Sequence, residues 1–428
     1  RVETRVLVRH HGHGVYGLSY RWNDDQQDAQ LVTTPQTVRY PVESPEGSVT
    51  ERTWQFFDRQ ACLSCHNPNA GFVLGVNTAQ LLGAEGGARR LADLERRGYF
   101  RQPLPTDIAS RIELPVDPRD ESLPLERRVR SLLATECSAC HREGGARANF
   151  YAELHGTAEV AELAIAPLQG DFGIADARLI APGDPHRSVL YYRLAKLGQG
   201  RMPFVGAHEL DEELLALVRR WIAELDPNAA QPTYRRAVDV LSIDAETDRH
   251  EQLDRLTTET GGSFAVWQAV LDGSLDDSRR RETIERMLAQ GSPAARDLFE
   301  WFVAQEERTQ RLGTDFDPST VLMLAGDASR GAALFADTQQ LSCANCHSVS
   351  KETPSVGPSL VEIGGRLSRN ELLDQIVRPS MKIAPEYRTS TVLLIDGSSL
   401  QGMIREQTEE RVVLVDATAV QRGGLGGA

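Results

Sequence analysis

The alternation of apolar and polar positions changes character several times along the chain, and each change marks a unit. Residues 1–60 alternate with period two. Val2, Thr4, Val6 and Val8 share one face; from Val15 to Asn23, Tyr16, Leu18, Tyr20 and Trp22 lie on one side, with Gly17, Ser19 and Arg21 on the other. Stretches at Gln30–Thr34 and Thr37–Val42, set off by Asn, Asp, Pro and Gly, complete the pattern of an antiparallel sandwich. Residues 61–124 hold a helical stretch from Leu81 to Tyr99, followed by a linker punctuated by Pro103, Pro105, Pro115, Pro118 and Pro124. In 125–225, Leu125, Val129, Leu132 and Leu133 recur at helical spacing. A long polar, glycine-rich stretch follows, and then a closing helix from Asp211 to Leu225 whose apolar side is Leu214, Leu217, Val218, Trp221 and Ile222. Residues 226–318 carry three further helical segments, around Trp267, Met287 and Phe299, and read as a helical spacer without chemistry of its own.

The last unit, 319–428, begins helical through Leu334 and Phe335 and again from Ser368 to Val377. It then switches to period two. Thr391, Leu393 and Ile395 lead into Asp396-Gly397, a hairpin signal, and Leu400, Gly402 and Ile404 return, with a third strand at Arg411–Val415. The expected fold is multidomain α+β: an antiparallel β-domain, mostly helical domains, a helical spacer, and a last helical domain with an inserted sheet.

Onto this framework one five-residue motif is written three times: Cys62-Leu63-Ser64-Cys65-His66, Cys137-Ser138-Ala139-Cys140-His141 and Cys343-Ala344-Asn345-Cys346-His347. C-x-x-C-H is the attachment signature of c-type haem. Two thiols at this spacing add across the two vinyl edges of one porphyrin, and the histidine beside the second becomes the proximal iron ligand. A zinc site can also begin with C-x-x-C, but the three motifs use all six cysteines, so none remains to complete a four-thiolate site. The expectation is three covalently bound haems. The cysteines would form the thioethers, and His66, His141 and His347 would be the proximal ligands.

For the second haem, a helix carrying the motif, a loop with Arg201-Met202-Pro203 and a closing helix give the order of a compact His/Met cytochrome. Met202 is therefore expected as its distal ligand; a flexible core filler is the alternative role. No methionine precedes Met202, so the first haem must draw on a histidine, a methionine from another domain, water or nothing. His10, His11, His13 and His155 are unranked candidates. The His10-His11-Gly12-His13 cluster falls between two strands, where polar turn residues are the expectation and a metal site the lesser alternative.

Composition narrows the setting. A net charge of −14 excludes nucleic acid as a partner, because that binding rests on basic side chains neutralising phosphate, and it favours a basic redox partner. The longest apolar runs, such as Val321 to Ala325, fall well short of the roughly 18 residues that argue a membrane span. Haem is joined to C-x-x-C-H outside the bacterial inner membrane, so the expected location is periplasmic or extracellular. The start at Arg1, with no leader, and the glycine-rich end at Ala428 are those expected of a processed or truncated piece.

Two resemblances follow from these residues. The third motif with Val356-Gly357-Pro358-Ser359-Leu360, Ile363-Gly364, Arg378-Pro379-Ser380 and the strands after Tyr387 resembles the haem-binding cytochrome domain of planctomycetes and verrucomicrobia, over about 315–420. The stretch Asp171–Arg178, Ile180-Ala181-Pro182-Gly183-Asp184-Pro185, Ser188, Tyr191 and Arg201-Met202-Pro203 resembles periplasmic dihaem cytochromes that carry a β-domain ahead of their first haem, over 1–225. The resemblance implies that Pro358 offers its carbonyl to His347. It also implies a distal methionine beyond the inserted strands, in a Met-Pro segment that this chain lacks. Met381 and Met403 are the methionines after the third motif; Met403 alternates within a strand, Met381 is the one candidate distal ligand, and the leading expectation is a third haem that lacks its sixth ligand in this stretch.

Such domains are often appended to larger chains, including quinone-dependent propeller dehydrogenases. The expected function is single-electron transfer between a periplasmic dehydrogenase or another cytochrome and an acceptor. The alternative is a haem enzyme of the dihaem peroxidase type, with an open distal side at the first haem.

Overall fold

Strand pairing at the amino end follows the period-two pattern. β1 (Glu3–His10) and β2 (Gly14–Trp22) pair antiparallel from Glu3 with Arg21 to His10 with Gly14, and β3 (Ala29–Leu31) joins the far side of β2. β4 (Gln36–Glu43) and β5 (Val49–Phe56) form a separate two-stranded ribbon. This is a computed structural model that describes residues 1–10, 14–33, 36–43, 47–57, 62, 66, 72, 74, 78–83, 86–100, 102–141, 152, 163–167, 170–198, 200–203, 210–273, 275–304, 307–309, 316–336, 343–345, 347–350, 357–377, 383–387, 389–393, 399–408 and 410–415. The chain is a mixed α+β protein of two units, Arg1–Arg308 and Thr309–Ala428.

The face of β2 that is buried is the one with small side chains. Gly17 and Ser19 are buried, whereas Tyr16, Leu18, Tyr20 and Trp22 are only half-buried. Close backbone approach decides this, since small residues let another segment lie directly on the strand. Arg5 and Arg21 cover the rings of Phe57 and Phe56, which are themselves buried.

The helical stretch expected from Leu81 to Tyr99 is in two pieces, α1 (Thr78–Gly83) and α2 (Gly87–Arg96). Beyond the linker come α3 (Leu125–Glu136), α4 (Val189–Ala195) and α5 (Glu212–Leu225), the last capped by Asp211 accepting from the Leu214 amide. The polar stretch expected between the second motif and Met202 contains α4, whose Val189, Leu190, Tyr191, Tyr192, Leu194 and Ala195 are buried. A short helix that is apolar on nearly every side carries no periodicity to find.

Five more helices continue without a break in packing: α6 (Pro232–Leu241), α7 (Glu246–Leu256), α8 (Thr260–Leu271), α9 (Asp277–Gln290) and α10 (Pro293–Phe299). One hydrophobic core runs from Leu125 to Phe299, so position 225/226, where the chain pattern puts a boundary, is not a gap between cores. α8 is its axis. Phe264 and Trp267 are fully buried, and Phe264 lies against Tyr191 and Tyr192 of α4. Burial of each such ring contributes roughly 1.5–3 kcal/mol. On the outer side, both carboxylate oxygens of Glu282 of α9 accept from Nη2 of Arg249 of α7, at 3.0 and 2.9 Å, and Glu282 also pairs with His250.

The second unit is built differently. α11 (Ala328–Ala336) and α12 (Arg369–Val377) bury none of their described residues. β6 (Thr389–Leu393), β7 (Ser399–Gln407) and β8 (Val412–Val415) form the expected antiparallel sheet in that order. Met403 of β7 and Ser348 are its buried members among the described residues. No helix among the described residues is long and apolar enough to cross a membrane.

Candidate haem sites

The three motifs share one local shape. In each, the backbone amide of the histidine donates to the carbonyl of the first cysteine: His66 to Cys62 at 2.9 Å, His141 to Cys137 at 2.8 Å, His347 to Cys343 at 3.0 Å. This is one helical turn. It brings the first thiol and the imidazole to the same side of the chain, because positions four apart in a helix are neighbours. None of the four described cysteines forms a disulfide. Cys65 and Cys346 lie outside the described residues.

Two of the imidazoles are oriented by backbone carbonyls. His66 Nδ1 donates to Phe72 O at 2.6 Å, and His347 Nδ1 donates to Pro358 O at 2.9 Å. A carbonyl only accepts, so Nδ1 carries the proton and Nε2 keeps its lone pair, as an iron ligand requires. The Pro358 contact is the one the resemblance implies for His347. The Phe72 contact has no precursor in the sequence pattern. Phe72 sits at φ 64°, a conformation that costs a bulky residue about 1–3 kcal/mol and that clusters at functional sites.

The first motif follows β5 and is seated on β2. A Cβ added to Gly17 would lie 2.6 Å from both Cβ and Sγ of Cys62, so only glycine permits this approach. Gly17→Val is expected to displace Cys62 and to lower the haem content of the purified protein by one, measured as the mass of the intact chain; an unchanged mass would refute the contact. Among the histidines that could serve this site, His10 ends β1, and His11, His13 and His155 lie outside the described residues.

The second motif is delivered by α3, whose Val129 and Leu133 are buried. Cys137 packs on the core, and so does Met202. Burial pushes the Cys137 thiol up to about 12, and Glu136 and Cys140 add to the shift. Such a place resists a charged thiolate and accepts a neutral thioether. The Met202 amide donates to Arg193 O at 2.9 Å, and Arg193 Nη1 donates to Gly200 O at 2.8 Å. Gly200, at φ +82°, lies under the Phe172 ring, where a Cβ would come within 2.8 Å. Arg201 stands over Trp301 at 4.4 Å; burial and nearby Arg308 pull its guanidinium down to about 10, still charged at neutral pH.

In the second unit, the turn Cys343–Asn345 precedes His347, and the Leu360 amide returns to Ser348 O at 2.8 Å, closing the loop that carries Pro358. Met381 lies outside the described residues; Met403 is buried at mid-strand in β7, opposite Thr389.

Compared with protein-family models, curated proteins and solved structures, the chain matches none.

The residues present fit haem. They include paired thiols in a neutral setting at Cys137 and Cys140, imidazoles with Nε2 available, and a thioether, Met202, packed on the same core as Cys137. Two polar features have no counterpart in the sequence pattern. Glu246, His250 and Glu282 bring their ligand atoms within 4.8 Å of one another, but Arg249 already occupies both oxygens of Glu282. His186 is buried between Tyr234, stacked at 5.0 Å, and Phe264. Burial drives its pKa down to about 3, which keeps the ring neutral.

Proposed function

We propose that the chain is a three-haem c-type cytochrome of the periplasm or extracellular space that passes single electrons between redox partners. The observation that carries this reading is the closed turn common to all three C-x-x-C-H motifs, with His66 and His347 each fixed through Nδ1. Cys62 with Cys65, Cys137 with Cys140 and Cys343 with Cys346 would hold the porphyrins. His66, His141 and His347 would be proximal ligands, Met202 the distal ligand of the second haem and Met381 that of the third. Haem supplies a one-electron couple whose potential depends on axial ligation and burial. The chain supplies covalent anchoring, imidazole orientation and the Met202 loop. Its net charge of −14 suits a basic partner, such as a dehydrogenase or cytochrome with a cationic docking face.

Expression with the c-type maturation machinery tests this reading. The intact mass should exceed that of the polypeptide by three haems, and the protein should exchange electrons without turning over peroxide. A zinc-loaded, haem-free product would sink it; peroxide turnover would favour the enzymatic alternative. Met202→Ala should retain three haems, lose the sulfur-to-iron charge-transfer band of the second, and lower one midpoint potential by on the order of 0.1 V, within the ~0.8 V range that axial ligation spans.

A further inference from the structure

The helices after position 225 carry no motif, yet they grip the Met202 loop. α4 ends at Ala195, and the described residues of the loop, 196–198 and 200–203, lie in no helix or strand. At its entry, the Leu197 amide donates to Asp297 O at 2.7 Å. Lys196, itself buried, places Nζ 2.8 Å from Asp297 Oδ2. Trp301 Nε1 donates to Ala195 O at 2.7 Å. Near its exit, Arg201 stacks on the face of that same Trp301. One indole thus holds the residue before the loop through its edge and the residue before Met202 through its face. Thr260 of α8 adds a clamp from beneath, donating to Phe172 O at 2.7 Å, and the Phe172 ring lies against Gly200.

We infer that segment 232–302 is a positioning device for the distal ligand of the second haem, with Trp301 as its main contact. This rests on the reading of Met202 as that ligand. An irregular surface loop is mobile unless other elements fix it. A thioether ligand held by such a loop competes with water or an added base each time the loop opens. A loop fixed at both ends presents sulfur already in place, so ligation loses less ordering entropy. Trp301 is then a positioning residue; it acts through Ala195 and Arg201 and touches no iron ligand.

The experiment uses the full haem-loaded chain. The ferric sulfur-to-iron band and the affinity of the second haem for added imidazole are measured in Trp301→Leu and Trp301→Phe, with haem number checked by intact mass. The band removed by Met202→Ala defines the second haem's share. Losing the two contacts that reach the loop, the hydrogen bond to Ala195 and the cation–π contact with Arg201, corresponds to about a tenfold gain in imidazole affinity. Trp301→Leu should show that gain and a weakened band while keeping three haems. Trp301→Phe, which retains an aromatic face for Arg201, should fall between it and the parent. Met287→Leu, a volume-conserving change in the same segment away from the loop, should move neither readout. An intact band with parental imidazole affinity in both Trp301 variants overturns the inference while the Met202 reading stands. A band that survives Met202→Ala overturns that reading, and this inference with it.

Discussion

Replacing Cys343 and Cys346 with alanine is expected to abolish amide protection across residues 316–415 while the core from Leu125 to Phe299 exchanges as before. The reason lies in what the second unit buries. Among its described residues only Met403 and Ser348 are buried, and apolar side chains stand exposed, with Ile376 at 77%, Val349 at 65% and Leu334 at 47%. Apolar burial is the main force opposing chain entropy, and a small unit with so little of it needs a cofactor or another staple to fold alone. A porphyrin thioether-bound at Cys343 and Cys346 would supply that apolar interior, so the unit's stability and its redox group become one property. Hydrogen exchange followed by mass spectrometry separates the units directly. Parental protection over 316–415 in the double variant would show that the unit carries its own core and needs no porphyrin to fold.

Acid should destabilise the first unit earlier than its carboxylates alone would, and His186 is the reason. Its folded pKa of about 3 lies below the ordinary 6.5, chiefly because of burial, with Arg219 adding to the depression and Asp272 opposing it. A group that folding keeps neutral contributes fully above the unfolded value. Its contribution is lost as pH falls from about 6.5 toward about 3, because the unfolded chain takes up the proton first. At 1.36 kcal/mol per unit, the loss across that window is at most roughly 5 kcal/mol, the lower end of the range of domain stabilities. Asp184 faces the same ring, with Oδ1 3.9 Å from Nδ1; burial raises its pKa, so its protonation works in the opposite direction. His186→Phe keeps a ring against Tyr234 and Phe264 and removes the titration. Denaturant melts at pH 7.5, 5.5 and 4.5 should therefore fall more steeply for the parent than for the variant. Parallel slopes would mean that His186 takes up its proton in the folded state without cost.

Much of this was legible in the chain. Period two marked β1, β2 and β6 to β8, and period 3.6 marked α3 and α5, which present one face to the core and the other to water. What escaped has a physical cause in each case. Hydrophobicity chose the Tyr16–Trp22 side of β2, but Gly17 and Ser19 are the buried ones: close approach selects for small side chains, which carry no apolar signal. α4 is buried nearly all round and so has no period. The proposed proximal histidines were visible from the motif. Their Nδ1 partner was visible only at Pro358, through a resemblance; Phe72 has no marking residue type. The grip of Trp301 on Ala195 spans 106 positions, and no local pattern reports a contact at that distance.

The unbroken core also bears on how such a protein can be assembled from parts. A piece ending at Leu225 would leave the α4 surface of Tyr191 and Tyr192 that meets Phe264 facing water, along with the side of the Met202 loop that Trp301 and Asp297 hold. The portion to be moved between proteins, by recombination in a genome or by design, therefore extends past Leu225 to Arg308, where the compact unit ends. The stretch that looks like an inert joint is inherited with the Met202 loop, or the loop arrives without its supports.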